Sequence, residues 1–252
     1  MRHHYIPRFY LAHFATQEGK RRNVWVLDKT RRQQWITTPS KAAHRRNYYR
    51  ATGGSLASPD DIEHAFASVE NEAAPALRRL LETKRIPDAE HDYSALLNFV
   101  ALMAVRVPGA RGATTNLMET LAKQVFRNNV SSPEIYYSSL ERMRKDGYSA
   151  DEDISYEHMR DFIERDDYRV VPPQDLTLAM MLMGFDFVLG LLAKRTWFVI
   201  VARQSAHDFV CSDRPVTVNW LNEPPRGFLG QPGFGMLDTM VTFPLSCRVA
   251  LS

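Results

Sequence analysis

The sequence predicts an α+β fold, a central helical bundle packed against a sheet formed by N- and C-terminal strands. Apolar residues recur at helical spacing through the middle of the chain and alternate at strand spacing near both ends, with no internal repeat. The composition, 44% hydrophobic and 24% charged over 252 residues, is that of a chain able to bury a real core. Neither strand zone is large enough to bury a core alone, so a single domain is expected over residues 1–252. Within it lie a basic helix–hairpin segment (1–52), a helical core (53–195) and C-terminal strands (196–252).

Ile6, Phe9, Tyr10, His13 and Phe14 follow Pro7 at helical spacing, which predicts a short helix with His13 as a core histidine. Residues 23–28 and 34–37 read as a hairpin around the basic turn 29–32. Gly53-Gly54 marks a loop, and Ser58-Pro59-Asp60-Asp61 a helix start with acids in its first turn. Helices are predicted at 60–83, 92–107, 114–129, 133–146, 155–166 and 174–194, separated by Pro, Gly or Asn. The apolar run 176–193 approaches membrane-spanning length, but it contains Asp186 and lacks interfacial anchors at both ends, so a buried core helix is expected and no membrane partner. Strands are predicted at 197–202, 209–212, 216–220 and near 240–243 and 248–251. The Gly/Pro-rich loop 223–235 is long enough to suggest a functional role. The strand pattern runs up to Ser252, so a continuation beyond it is expected.

The net charge of +3 conceals an asymmetry. Residues 1–50 hold twelve Lys/Arg against Glu18 and Asp28, or +10, and the other 202 residues hold twenty against twenty-seven, or −7. Basic side chains there, among them Arg21, Arg22, Arg31, Arg32, Arg45 and Arg46, alternate with Trp25, Trp35, Tyr48 and Tyr49. Cations that neutralise phosphates beside aromatics that stack bases predict a nucleic-acid partner. Two cysteines, Cys211 and Cys247, and no apolar leader after the opening Met-Arg-His-His-Tyr predict a reducing, cytoplasmic location.

On the 60–83 helix, Ile62, Phe66, Val69, Ala73, Leu77, Leu80 and Leu81 define one apolar arc, and Glu63 and Glu70 fall inside it, two turns apart. Buried carboxylates need an Arg, a metal or a shifted pKa. The next helix is apolar nearly all round and offers one basic residue, Arg106, before Pro108. Two readings stay open: a structural Glu–Arg network, or an active site in which Glu63 and Glu70 ligate Mg²⁺ or Mn²⁺ or act as general acid and base. His3 and His4 are adjacent, so a strand there points them to opposite faces. The sequence has neither zincin-type His spacing nor a paired Cys-x-x-Cys, which argues against zinc. The segment Phe209-Val210-Cys211-Ser212-Asp213-Arg214-Pro215-Val216 places a carboxylate at a strand end, where it either serves a site or shapes a turn. Ser212 lacks a nucleophile elbow.

His3-His4-Tyr5-Ile6-Pro7-Arg8-Phe9-Tyr10-Leu11, Val24-Trp25-Val26-Leu27-Asp28, Ile62-Glu63 with Glu70, Arg106-Val107-Pro108 and the 209–215 segment together resemble the bacterial family of unknown function DUF4238, from His3 to Phe243-Pro244-Leu245-Ser246. The resemblance implies that the opening histidines are native and picks out Glu63, Glu70, Arg106 and Asp213, without implying a reaction.

Two functions follow as expectations. The first is a metal-dependent phosphodiester hydrolase, a nuclease, in which Glu63, Glu70 and Asp213 hold Mg²⁺ or Mn²⁺, His3 or His4 activates water and Arg106 stabilises charge on the phosphorane. The second is a non-catalytic nucleic-acid- or protein-binding module in which the Glu–Arg network is structural.

Overall fold

The computed structural model describes residues 2–18, 21–53, 58–148, 154–203, 208–223 and 231–252. The predicted glycine pair loses Gly54 to the undescribed residues, and 224–230 of the Gly/Pro-rich loop also lie outside them. The fold is α+β, and both chain ends contribute strands to separate antiparallel sheets. β1 (Arg2–His4) pairs with β5 (His44–Arg46); β2 (Thr16–Glu18), β3 (Arg21–Asp28) and β4 (Gln33–Thr37) form a second sheet in that order. The third has the order β6 (Val199–Val201), β9 (Val249–Leu251), β8 (Thr239–Pro244), β7 (Thr217–Trp220).

The helices form near their predicted limits: α1 (Arg8–Leu11), continued by a 3₁₀ turn at Ala12–Phe14, then α2 (Asp61–Thr83), α3 (Glu90–Val105), α4 (Pro108–Asn129), α5 (Pro133–Lys145), α6 (Tyr156–Arg165) and α7 (Gln174–Leu192). α4 begins six residues before the expected 114. Pro108 is a starter here, because the first helical turn needs no N–H from it. Inside α2, Pro75 and Asn71 both lie on the solvent side, so the carbonyl freed by the proline reaches water.

The expected strand at 209–212 does not form. Phe209 donates one backbone hydrogen bond to Cys247 (2.9 Å), and Val210 then turns out to solvent. α7 also departs from the buried helix expected. It is long and apolar enough to cross a membrane, with mean hydropathy 1.8, and Met183 and Phe187 are 72% and 69% exposed. Its apolar residues run all round the helix, and only part of that surface is covered.

The chain divides into two units, one of residues 1–111 with 178–252 and the other of residues 112–177. In the first, Tyr10 and Phe99 meet Phe243: the Tyr10 ring stacks on Phe243 (5.1 Å between centroids), and its hydroxyl donates to the Pro244 carbonyl (2.5 Å). A second apolar group there contains Tyr48, Tyr49, Ile62, Phe66 and Leu102. The unit of 112–177 has its own small core of Val130, Tyr136, Tyr156 and Ile163, fastened by Lys123 to Asp166 (2.9 Å).

Candidate functional site

The site grows from the two features singled out on α2 and α3. Ile62 and Phe66 turn the apolar arc of α2 inward and bring Glu63 and Glu70 with it. Arg106, just past the end of α3, is buried to 1% exposure. Its Nη1 donates to Glu70 Oε1 (2.6 Å), its Nη2 to the His4 carbonyl, and its Nε to the Tyr49 hydroxyl (3.4 Å). Tyr49 completes the loop by donating its hydroxyl to the Arg106 carbonyl (2.9 Å). The guanidinium also lies over the rings of Phe66 (5.0 Å) and Tyr49 (5.5 Å). Burial works against the Arg106 cation, but Tyr49 and Glu70 outweigh it and raise its pKa.

β1 delivers the two histidines to opposite faces, as a strand must. His3 is fully buried and stacks parallel to the Tyr49 ring (5.8 Å). Its Nδ1 accepts the Tyr49 backbone N–H (2.9 Å), which leaves the proton of the neutral ring on Nε2. Burial holds the His3 pKa below its ordinary value, with Asp60 pulling the other way. His4 points elsewhere: its Nε2 bonds the Ser40 carbonyl oxygen (3.2 Å), and its ring meets His44 edge-on.

Three buried polar atoms near this point have no hydrogen-bond partner among the described residues: His3 Nε2, Asp60 Oδ1 and Glu63 Oε2. Asp60 is within electrostatic reach of both His3 and Glu63. Burial raises the Glu63 pKa; Arg106 opposes the shift, while Glu70 and Asp60 reinforce it. A buried unpartnered carboxylate costs free energy that protonation relieves, so this group is poised to hold a proton.

His3, Glu63, Glu70 and Arg106 are therefore neighbours around Tyr49, whereas His4 joins them only through its backbone carbonyl. Asp213 is within electrostatic reach of Tyr5 and Cys211. The segment around it serves as a turn: Ser212 Oγ accepts the Arg214 N–H (3.1 Å) and donates to the Arg214 carbonyl (2.7 Å). Among the described residues no three His, Cys, Asp or Glu side chains are placed to hold a metal ion, so Glu63, Glu70 and Asp213 do not form a ligand set for Mg²⁺ or Mn²⁺. Each nitrogen of Arg106 makes one hydrogen bond within this network, which accounts for three of its five N–H groups.

The pattern Tyr49–Arg106 escaped the sequence reading, which took Tyr48 and Tyr49 for base-stacking residues. Both are core, and Tyr48 lies between the guanidiniums of Arg111 (4.8 Å) and Arg45 (5.5 Å). Asp60 was legible only as a helix-start acid, since nothing in its spacing ties it to His3. His13 is half-buried and faces Arg22 and Arg78 across a pocket.

The basic hairpin also takes shape. Register pairs Trp25 with Ile36 and Leu27 with Gln34, so Arg21, Trp25, Leu27 and Ile36 share the outer face of the β2–β3–β4 sheet. Val24 is buried on the inner face, while Trp25 and Leu27 are 65% and 64% exposed. Arg31 and Arg32 cap the β3–β4 turn, where Asp28 Oδ1 accepts the Thr30 and Arg31 N–H groups (both 2.9 Å). Arg46 is exposed on β5.

The family pattern for DUF4238, proteins of unknown function, matches residues 2–252. This chain belongs to the DUF4238 family. Membership spans both units and the whole Arg106 network. No curated protein and no solved structure matches it.

Proposed function

We propose that this DUF4238 protein binds single-stranded nucleic acid on the outer face of the β2–β3–β4 sheet. The reading rests on one observation, an aromatic and aliphatic strip of Trp25, Leu27 and Ile36 left open to solvent beside Arg21 and the Arg31–Arg32 turn. Bases stack on such a strip whatever their identity, while the arginines neutralise phosphates. The Arg106–Glu70–Tyr49 network then serves to lock β1 and the 47–49 turn against α2 and α3. Fluorescence anisotropy with labelled single strands tests it. Trp25→Ala weakens binding roughly 5- to 100-fold, as loss of one stacked base requires. Arg31→Gln with Arg32→Gln flattens the salt dependence by a slope of about two. Absence of binding at low salt, or unaltered affinity in Trp25→Ala, overturns the proposal.

A second reading, phosphodiester hydrolysis, is favoured by the three unpartnered atoms of His3, Asp60 and Glu63. Glu63 would hold or release a proton and His3 Nε2–H would donate to a phosphoryl oxygen. Incubation with single- and double-stranded DNA and RNA, with and without Mg²⁺ or Mn²⁺, tests it. Cleavage that survives both Glu63→Gln and His3→Gln rules this site out.

A further inference from the structure

The inner face of the same sheet carries a different feature. Phe9, Ala12, His13, Ala15, Gln17, Arg22, Ala74 and Arg78 line an open pocket of about 580 Å³, within the range of small-molecule sites. The placement follows from local geometry. Gln17 and Arg22 are register partners on β2 and β3, and Arg22 shares its face with buried Val24. Ala74 and Arg78 are one helical turn apart on α2.

Three basic side chains, His13, Arg22 and Arg78, and the Gln17 amide line it, with no carboxylate among the lining residues. Neither Arg22 nor Arg78 makes an ion pair among the described residues. Both arginines are exposed, so water screens their mutual repulsion, and the positive potential that they and His13 create over the pocket favours an anion there. Burial first, and then Arg22 and Arg78, the charged groups facing His13, push its pKa down. The remaining wall is apolar: Phe9 and three alanines.

We propose that this pocket binds a phosphate monoester carried on a small apolar or aromatic body. Two guanidiniums match the oxygens of a dianion bidentately and an imidazole supplies a further donor, whereas a carboxylate needs only one arginine. Phe9 and the alanines receive the organic part. The site is independent of the nucleic-acid reading, which uses the opposite face of the sheet.

Calorimetric titration of the full chain with phenyl phosphate, inorganic phosphate and benzoate tests the assignment. Phenyl phosphate is expected to saturate one site, about tenfold more tightly than either comparator. Arg22→Gln and Arg78→Gln each weaken it at least about tenfold, with thermal melting of the free protein unchanged or raised. The His13 ring resonances, followed by NMR, titrate at higher pH in the complex. Failure of phenyl phosphate to saturate a site, or binding by either arginine variant as tight as that of the parent, overturns the proposal. Equal affinity for inorganic phosphate or benzoate overturns the choice of ligand.

Discussion

Removing Glu70 tests whether the Arg106 network holds the fold together. Glu70→Ala leaves a guanidinium of 1% exposure without its carboxylate. Breaking a buried ion pair from one side costs about 3–5 kcal/mol, and the 23% exposure of the Glu70 side chain places this case at the lower end, about 3 kcal/mol. At roughly 2–4 °C per kcal/mol for a chain of this size, melting falls by roughly 6–12 °C. Replacing both partners, Glu70→Leu with Arg106→Met, removes the buried charge but strands the His4 carbonyl, while the Tyr49 hydroxyl keeps its bond to the backbone carbonyl of residue 106. The double variant then loses about 1–3 kcal/mol, less than the sum of the single changes. Urea unfolding followed by circular dichroism measures the parent, Glu70→Ala, Glu70→Leu, Arg106→Met and the double variant. A loss below about 1 kcal/mol in Glu70→Ala, or additive single effects, refutes the reasoning.

Other outcomes follow from buried titratable groups. Because burial raises the Glu63 pKa above its ordinary 4.5, its stabilising contribution is complete below 4.5 and is lost as pH rises through the folded value. Melting curves across pH should therefore show Glu63→Gln matching the parent in acid and surpassing it towards neutrality; a pH-independent difference contradicts this. The His3 shift has the opposite sign: its pKa is depressed from 6.5, so its contribution is present above 6.5 and vanishes as pH falls through the folded value. Protonated Nδ1 no longer accepts the Tyr49 N–H, so hydrogen exchange at that amide accelerates, relative to the α3 amides, as pH drops below 6.5. Unchanged relative protection counts against the assigned tautomer. Burial pushes the Cys211 thiol up to about 12, which predicts negligible iodoacetamide labelling near neutral pH until urea is added. Rapid labelling of the native protein contradicts that burial.

Helices were the most legible part of the fold, since the 3.6-residue period is written locally. α2 and its inward carboxylates, Glu63 and Glu70, came directly from that period, and so did Arg106 as their neighbour. Strand partners were less accessible. The pairing of His3 with Arg45 depends on long-range packing that no local spacing records, and without it Tyr49 looked like a surface aromatic. Asp213 shows a related limit of local spacing: a carboxylate at the end of an apolar run reads alike whether it faces a site or closes a turn. The hydroxyl of Ser212, bonded to both the N–H and the carbonyl of Arg214, shapes a turn there.

The contact of Tyr10 with Phe243 and Pro244 joins positions more than two hundred residues apart. During synthesis on the ribosome, the aromatic surface of α1 and Phe99 emerges long before the strand that covers it. Until β8 has been made, that surface is available to chaperones and to other nascent chains, whereas residues 112–177 complete their own small core earlier. The order of translation thus favours early consolidation of the inserted helices, with closure of the flanking unit as the late event. Expression yield should accordingly depend more on mutations at Tyr10, Phe99 and Phe243 than on equally buried positions such as Tyr136.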